Sequence, residues 1–377
     1  MGDMVIIPIA GNLFADFADT NIAVLNFILS GPALIGALSS LLCGKLMYYV
    51  NKKILLIIAF LCFMVGGIFG DVLHNPFFMA AMRALVGIGV GAIMVVSLAI
   101  ISDVFIDEKA RSSMVGIYNG LMAAVGALLG WVSGMVASIE WRLVFRIYLA
   151  SIPILLLILL FIPAKTKAVG NTQEEEGSKD AEKMPWGKLL FLDAAFFIYS
   201  SVYCIVYYQV AMVIEDKGIG DLALIGIMSA LGTVGSFVAC SLFGLYYNRL
   251  KRFTPAIGFA VMAFSYWLLY GASGPAAACI ACTLLGAMFG LGMSYYMMSC
   301  TVIVPPSQIP MAISITTTVM SIATFLSTYF SAGLQGIMGV SSITAIIPVL
   351  IVVLVIGAAV SSVGAIKNSV KEHGGNK

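Results

Sequence analysis

A single arginine stands inside one of the long apolar stretches of the chain. Arg83 follows Pro76 by seven positions, and mostly apolar residues surround it from about position 77 to about position 102. A cation at such a depth in a membrane helix is costly unless it faces a polar cavity or a partner. The alternative is that its long side chain extends back to the outer membrane interface. The first interpretation predicts that Arg83 binds an anionic group of a solute or of another helix.

Tyrosines recur at every fourth position in a second apolar stretch. Tyr199, Tyr203 and Tyr207 share one face of a helix at this spacing, with Tyr208 and Gln209 beside them. Such a stripe is either packing or the lining of a polar cavity. In the second case its rings and hydroxyls would contact a solute.

The composition determines the environment of these side chains. Hydrophobic residues make up 61% of the 377 residues, charged residues 10%, and the mean hydropathy is +1.05. No water-soluble fold could cover so much apolar surface. The chain is therefore predicted to be a polytopic membrane protein, with the lipid bilayer as its main partner and no nucleic-acid partner.

The sequence lacks the motifs of enzymes and ATP-driven pumps. It has two histidines, no paired catalytic carboxylates, no nucleophile motif and no G-x-x-x-x-G-K-[ST] loop. Its seven cysteines stand in apolar stretches, where a thiol behaves as a small buried hydrophobe. We therefore expect no catalysis, no cofactor and no metal.

Twelve apolar segments predict the transmembrane organisation. They lie at roughly residues 4–18, 21–49, 54–73, 77–102, 112–138, 141–163, 188–213, 221–247, 254–272, 275–304, 309–338 and 342–366. Lysines and arginines collect in alternate loops and in the tail, so the positive-inside rule places these in the cytoplasm of a plasma or inner membrane. Side-specific labelling of cysteines introduced at 165–188 and in the tail tests this, and an outside position for either contradicts it.

The chain repeats itself at an offset of 200 positions (244 − 44 = 200). The segment from Gly44 to Lys53 has a second copy from Gly244 to Phe253, and the apolar residues before them stay in register without a gap. We therefore predict two helical bundles with a cytoplasmic linker and tail. The predicted domains are 1–163 and 188–366 for the bundles, 164–187 for the linker and 367–377 for the tail.

The first apolar segment is shorter than its counterpart. From Met4 to Phe17 it spans only about 21 Å at ~1.5 Å per residue, well short of a hydrocarbon core of about 30 Å. Under the same offset, the helix beginning near Lys188 would start about 12 positions before the numbering begins. We therefore expect an incomplete first helix and a native start upstream of Met1.

Several motifs resemble those of the major facilitator superfamily, in particular its twelve-helix drug and proton antiporter-like branches. The two repeated segments are similar to the family's G-x-x-x-[DE]-[RK]-x-G-[RK]-[RK] loops. The motifs that resemble its fourth helix, its loop from helix four to five and the start of its sixth helix are Arg83–Gly91, Asp107–Arg111 and Glu140–Phe145. The resemblance implies an all-α fold of two six-helix bundles with pseudo-two-fold symmetry.

The resemblance also implies a gating role for the repeated segments. Gly44 and Gly244 would let helices approach closely at their cytoplasmic ends. The basic residues would stay at the anionic leaflet surface and pair with acidic helix ends. They are Lys52, Lys53, Arg249 and Arg252. Tyr48 and Asn248 stand where the family has an acid, which argues against a charge-based latch in the first copy.

The family pattern further suggests which residues line the solute pathway. Asp3 resembles an acidic residue of the family's first helix and would be the protonatable partner of Arg83, unless it is merely exposed at the terminus. The tyrosine stripe would line the cavity, as would Tyr295 and Tyr296. The remaining candidates, Asn26 and Asn119, have interhelical hydrogen bonds as their alternative role.

Together these features predict a secondary active transporter that works by alternating access and as a monomer. The solute is an amphipathic drug-like compound or an organic anion, and transport is coupled to a proton or another ion or proceeds by exchange. The alternative is a non-transporting family member, either a receptor or a truncated remnant. Tyr48 and the short first segment favour that alternative.

Overall fold

The computed structural model describes residues 20–137, 139–161, 184–219, 222–250, 253–340 and 342–374, and before them Ile6, Ile9, Leu13, Asp16 and Phe17. The α-helices are α1 (Ile22–Leu46), α2 (Lys52–Ile68), α3 (Pro76–Val104), α4 (Glu108–Ala137), α5 (Ser151–Phe161), α6 (Trp186–Lys217), α7 (Leu222–Ser241), α8 (Phe243–Leu250), α9 (Thr254–Gly271), α10 (Pro275–Ile303), α11 (Ile309–Met338) and α12 (Ile343–Gly374). Two 3₁₀-helices cover Trp141–Ala150 and Pro306–Gln308. No strand occurs among these residues.

Within these ranges, eight helices are long and apolar enough to cross a membrane, or nine if a bent pair forms one span. This confirms an all-α polytopic membrane protein. The sequence predicts twelve spans, and part of the first lies outside the described residues. The linker at 164–187 is likewise outside them up to residue 183, and the bundle boundaries stay a prediction.

Two predicted helices have interruptions. The segment predicted at 221–247 bends by 56° between Ser241 and Phe243. The segment at 141–163 begins as a 3₁₀-helix and becomes α-helical only at Ser151. Pro153 lies in the first turn of α5, where a missing N–H leaves no helical hydrogen bond unmade, and this favours a new helix start there.

The described chain forms two compact units. The first contains residues up to Ile106, Val125–Leu190 and Cys300–Phe325, and the second contains Asp107–Ala124, Phe191–Ser299 and Leu326–Lys377. A buried apolar cluster of the first unit joins Ile6, Ile9, Leu13 and Phe17 to Leu25, Ile28, Met79, Val144, Phe145 and Tyr148. The spacing of its first four members is helical, so one face of the first segment packs against α1, α3 and the 3₁₀-helix.

In the first unit, α1 and α3 cross through small residues. A Cβ at Gly91 would overlap the carbonyl of Gly36, and a Cβ at Gly87 would lie 2.7 Å from the carbonyl oxygen of Pro32. Residues four apart on each helix therefore form the contact. This is the small-residue pattern by which membrane helices bring their backbones close together.

The second unit repeats this crossing between α7 and α10. A Cβ at Gly286 would overlap the carbonyl of Gly232, and a Cβ at Gly290 would lie 2.6 Å from the Oγ of Ser236. Positions 232 and 236 are 200 beyond Pro32 and Gly36, whereas 286 and 290 are 199 beyond Gly87 and Gly91. The sequence repeat is thus also a repeat of helix packing, with one residue fewer between the paired helices.

Candidate functional site

Arg83 is fully buried in the first unit, at 0% exposure, in the first third of α3. Its Nε donates to the carbonyl oxygen of Ile28 at 3.1 Å, and its Nη1 donates to the hydroxyl of Tyr148 at 3.0 Å. The guanidinium therefore lies inside the helix packing and does not extend to an interface. A charged group held this way is positioned by hydrogen bonds, because burial without them would be prohibitive.

Tyr148 is placed by two features of the local sequence. It lies on the 3₁₀-helix Trp141–Ala150, and its ring packs flat on Gly67 of α2, where a Cβ would overlap the ring. Phe145, one turn earlier, covers Gly70 in the same way, with a would-be Cβ 2.5 Å from its ring. Gly67 near the end of α2 and Gly70 in the turn after it thus accept two aromatic rings, and the ring of Tyr148 carries the hydroxyl that Arg83 contacts.

In the second unit, the tyrosine stripe divides into two environments. Tyr203 and Tyr207 stack on each other at 5.4 Å between ring centroids, and Tyr203 also stacks on Phe289 at 4.0 Å. Both tyrosines line a cavity of about 30 Å³ together with Met228, Ser229, Gly232, Cys282 and Leu285. Such a volume holds a water molecule or two, not a drug-sized solute, which needs about 300 Å³ or more.

Tyr199 belongs to the packing and not to this cavity. It is fully buried, its hydroxyl donates to the carbonyl oxygen of Met288 at 2.5 Å, and its ring fills the space beside Gly258 and Gly292. Tyr296 is also buried, stacked on Phe196 at 4.7 Å, and its hydroxyl has no hydrogen-bond partner among the described residues. Tyr295 has rings of Tyr247 and Tyr296 as neighbours.

The repeat relates the Arg83 site to the tyrosine cavity. Met228 lies 200 positions beyond Ile28, which accepts the hydrogen bond from Arg83, and Cys282 lies 199 positions beyond Arg83 itself. Tyr203 corresponds to Asp3, which is outside the described residues. The two halves therefore carry different chemistry at equivalent positions, a guanidinium in the first and a small aromatic cavity in the second.

Two of the remaining polar candidates, Asn119 and Gln209, have structural partners. Asn119 is buried in the second unit, and its Nδ2 donates to the hydroxyl of Ser294 at 3.1 Å, as expected for an interhelical hydrogen bond. Gln209 donates from Nε2 to the hydroxyl of Ser331 at 2.9 Å. Asn26 lies within α1, but its side chain is outside the described part of the structure.

Both predicted gate glycines lie at close helix approaches. A Cβ at Gly44 would lie 2.5 Å from the Oγ of Ser314 on α11, and a Cβ at Gly244 would lie 2.9 Å from the Cα of Ser113 on α4. Tyr48 donates its hydroxyl to the Oε1 of Gln308 at 2.9 Å. The position where the family has an acid therefore makes a neutral hydrogen bond in this chain.

The basic residues of the two segments differ in their contacts. Lys52 is buried and pairs with Asp103 at 2.5 Å, while Lys53 donates to the carbonyl oxygen of Leu159, near the C-terminal end of α5, at 2.9 Å. Asn248 donates to the carbonyl oxygen of Gly244, and Arg249 is exposed. Arg252 lies outside the described residues.

A larger cavity of about 390 Å³ lies elsewhere in the second unit, between α6, α9 and α12. Its lining is almost entirely apolar and includes Phe191, Ile198, Phe259, Val353, Ile356 and Gly357. None of the predicted site residues contributes to it. Without a convergent set of polar groups, it lacks the orienting contacts of a specific binding site.

Sequence reasoning missed Tyr148, Met228 and Cys282. Tyr148 lies three positions beyond the Glu140–Phe145 motif, and helical spacing from Phe145 could have indicated it. Cys282 could have been found only with the offset of 199 that the helix packing shows, and Met228 only by applying the repeat to the neighbours of Arg83. Those neighbours are known only from the structure.

Comparison with known proteins identifies the family. The family model described as Major Facilitator Superfamily matches residues 1–328. A curated relative is Multidrug resistance protein 3 of Bacillus subtilis (strain 168), 28% identical over 200 residues. The aligned part covers 51% of this chain and 35% of that protein, so the chain spans only about a third of that relative's length.

Similar folds occur among solved transporters. The human organic anion transporter MFSD10 (TETRAN) has a TM-score of 0.77 at 11% identity, covering 95% of both chains. The proton:xylose symporter XylE, solved with 6-bromo-6-deoxy-D-glucose, has a TM-score of 0.69 at 15% identity over 97% of this chain and 91% of its own. FucP in the outward conformation has a TM-score of 0.68 at 15% identity, covering 96% of this chain and 97% of its own. At such identities these likenesses concern the fold, and together with the matched family model they establish that this chain belongs to the major facilitator superfamily.

Proposed function

We propose that this membrane transporter is a secondary active transporter that moves an amphipathic drug-like compound or an organic anion by alternating access. The observation that carries the proposal is the buried guanidinium of Arg83, held by Ile28 and Tyr148. A permanent cation inside the membrane is costly to keep, and its usual role is to bind or compensate a charge that enters the transport pathway. Ordinary helix packing does not require it.

The repeat supports a solute with both a charged and an aromatic or apolar part. In transporters built from repeats, substrate sites lie near the midplane at the interface of the repeats. Here the equivalent positions hold Arg83 in one half and the cavity of Tyr203, Tyr207 and Met228 in the other. A cation suits an anionic group, and the stacked rings suit an amphipathic body in a conformation that opens the tyrosine cavity beyond the about 30 Å³ of this structure.

The compared proteins are consistent with both solute classes. One curated relative is a multidrug resistance protein and one solved structure is an organic anion transporter. Coupling to a proton, to another ion or to a counter-solute belongs to the proposal, as do a monomeric state and a cytoplasmic C-terminus in a plasma or inner membrane. A role for Asp3 as the proton carrier rests on the family resemblance alone.

The gating part of the proposal rests on small residues and neutral hydrogen bonds. Gly44 against Ser314 and Gly244 against Ser113 give two close helix approaches that a conformational change could open. Tyr48 and Gln308 add a hydrogen bond that keeps its strength over a wide pH range. A latch made of neutral side chains does not need the acidic residue that the first repeated segment, Gly44 to Lys53, lacks.

Uptake into proteoliposomes tests the proposed function. The full chain, reconstituted in lipid, is expected to accumulate members of a panel of radiolabelled organic anions and lipophilic drugs. Each is measured with and without an imposed pH gradient and with unlabelled solute inside. Uptake above empty liposomes that saturates with solute supports transport. Solute binding without uptake under all conditions would favour the non-transporting alternative.

The two tyrosines of the cavity are expected to affect solute affinity. Replacing Tyr203 or Tyr207 with alanine removes a stacking surface, and the apparent KM should rise roughly 2- to 10-fold per ring while kcat changes little. Initial rates over a range of solute concentrations measure this. Tyr199→Phe is the matched control, because it removes a hydroxyl from the packing and should leave KM unchanged. Equal effects in all three variants would make the stripe a packing feature.

A further inference from the structure

An aspartate lies at the equivalent position near the end of the first segment of each half, and each contacts the residue 126 positions later. Asp16 accepts from the Nη2 of Arg142 at 3.2 Å, and Asp216 accepts from the hydroxyl of Ser342 at 2.6 Å. Each pair is 126 positions apart, and both members of the second pair lie 200 positions beyond those of the first. The repeat has therefore kept a contact that joins the first segment of a half to its last.

In each half, a third element of the fold takes part in this contact. Arg142 also lies 2.7 Å from the Nδ1 of His74 and 3.9 Å from the Oδ1 of Asp71, both in the turn between α2 and α3. In the second half Lys217 donates to the carbonyl oxygens of Tyr270 and Ala272 at the end of α9. We call Asp16, Asp71, His74 and Arg142 the first clamp. Asp216, Lys217, Ser342 and Thr344, with the two carbonyls, form the second clamp.

The second clamp contains a carboxylate that is held in its charged form by hydrogen bonds. The hydroxyl of Ser342, together with the N–H and hydroxyl of Thr344, lowers the pKa of Asp216, so this carboxylate stays ionised. It also lies at the N-terminus of α12, while Lys217 lies at the C-terminus of α9. Each charge therefore faces the helix end of opposite sign.

The first clamp contains a histidine in a contact that depends on its protonation state. Arginine can only donate, so this contact is a hydrogen bond only when the Nδ1 of His74 carries no proton and accepts. When the ring takes up a proton, Nδ1 becomes a donor and a second cation faces Arg142 at the same distance. The ring stacks on Phe17 at 4.7 Å, with the Oδ2 of Asp16 3.9 Å from Nδ1.

The surrounding charges favour a change of partner. Among the described residues, the charged groups facing His74 are the carboxylates of Asp16 and Asp71 and the guanidinium of Arg142, and Glu140 adds a further negative charge beside Asp71. Burial raises the pKa of Asp71, while Arg142 and His74 act to lower it. A protonated His74 would be drawn towards Asp16 and would repel Arg142.

We propose that the first clamp is an acid-sensitive restraint on the end of the first segment, in which protonation of His74 transfers Asp16 from Arg142 to His74, and that the second clamp lacks this response. At neutral pH Asp16 holds the first segment to the 3₁₀-helix at Trp141–Ala150. In acid it is held only to the turn before α3. By the predicted topology both clamps face outwards, so external pH would regulate one half of the protein; any effect on flux rests on the proposed transport function.

Distance measurements between spin labels test the switch without requiring transport. Nitroxides at Thr20 and Ile139 of the full chain in lipid nanodiscs report the first clamp, and nitroxides at Ile219 and Val340 report the second. On going from pH 7.5 to pH 5.5, the distance distribution of the first pair of labels should broaden towards longer distances. The distribution of the second pair should not change. His74→Gln, which keeps an acceptor that cannot titrate at these pH values, should hold the pH 7.5 distribution at both values.

A second variant keeps the proposal falsifiable if His74→Gln is poorly folded. Arg142→Gln removes the cation of the first clamp and should give the broad distribution at both pH values. An unchanged wild-type distribution, an equal response of the second pair, or a full pH response in His74→Gln would each overturn the switch. Flux in proteoliposomes can succeed or fail independently of these outcomes, so the two proposals are separable.

Discussion

Replacing Arg83 with alanine is expected to abolish transport while leaving the protein inserted and folded. The substitution removes a cation together with its hydrogen bonds to the carbonyl of Ile28 and the hydroxyl of Tyr148. If the guanidinium acts on the transported charge, each hydrogen bond between the two is worth about 1.5–3 kcal/mol, so losing two of them should lower uptake by roughly 100-fold or more. Initial uptake rates in proteoliposomes with matched protein content measure this.

Two further variants separate charge from hydrogen bonding at this position. Arg83→Lys keeps the cation but not the planar fork of donors, and it should retain part of the uptake. Tyr148→Phe removes one acceptor and leaves the ring packed on Gly67, and it should cost about 10-fold at most. Normal uptake by a well-folded Arg83→Ala protein would show that the cation has a purely structural role and would remove the main support for the proposed function.

The sequence indicates the class of the protein and singles out Arg83 as a candidate, but it does not indicate the contacts that hold Arg83. Apolar composition and the cost of a buried cation depend on residue type alone, so both follow from the sequence. The hydroxyl of Tyr148 reaches Arg83 because a 3₁₀-helix lays its ring on Gly67. That contact joins residues 65 positions apart. No local periodicity of the sequence predicts a contact between residues so far apart.

The tyrosine stripe illustrates the same limit. Equal spacing places Tyr199, Tyr203 and Tyr207 on one helical face, and the pattern alone cannot assign them different roles. The structure separates them through their neighbours: Gly258 and Gly292 leave room for the ring of Tyr199, whereas Met228 and Cys282 leave a space beside Tyr203. Helix spacing predicts which side chains share a face, and the facing helix decides what each of them contacts.

The repeat, by contrast, is more informative than its first appearance suggests. The offset found between two loop segments also relates the α1–α3 crossing to the α7–α10 crossing and the first clamp to the second. The chemistry at equivalent positions has diverged in each case. The repeat preserves the close approach of helix backbones and the contacts that join helix ends. Arg83 has no charged counterpart at position 282 or 283, and His74 has none at position 274.

Glycine at the two crossings is expected to be essential for folding. A Cβ at Gly91 or Gly286 would overlap a backbone carbonyl of the facing helix, which cannot rotate away as a side chain can. Gly286→Ala should therefore force α10 away from α7, and Gly91→Ala should force α3 away from α1. Each should lower the free energy of unfolding by about 2 kcal/mol or more, and leucine at either position should prevent folding.

Gly134 is the matched control, because it also lies within a helix but has open space around its Cβ position. Gly134→Ala should leave stability unchanged or raise it by up to about 1 kcal/mol through helix propensity. Thermal unfolding of the purified protein in detergent, together with the yield of monodisperse protein, distinguishes the two classes. Similar unfolding midpoints for Gly91→Ala, Gly286→Ala and Gly134→Ala would contradict the close backbone approach on which the structural repeat depends.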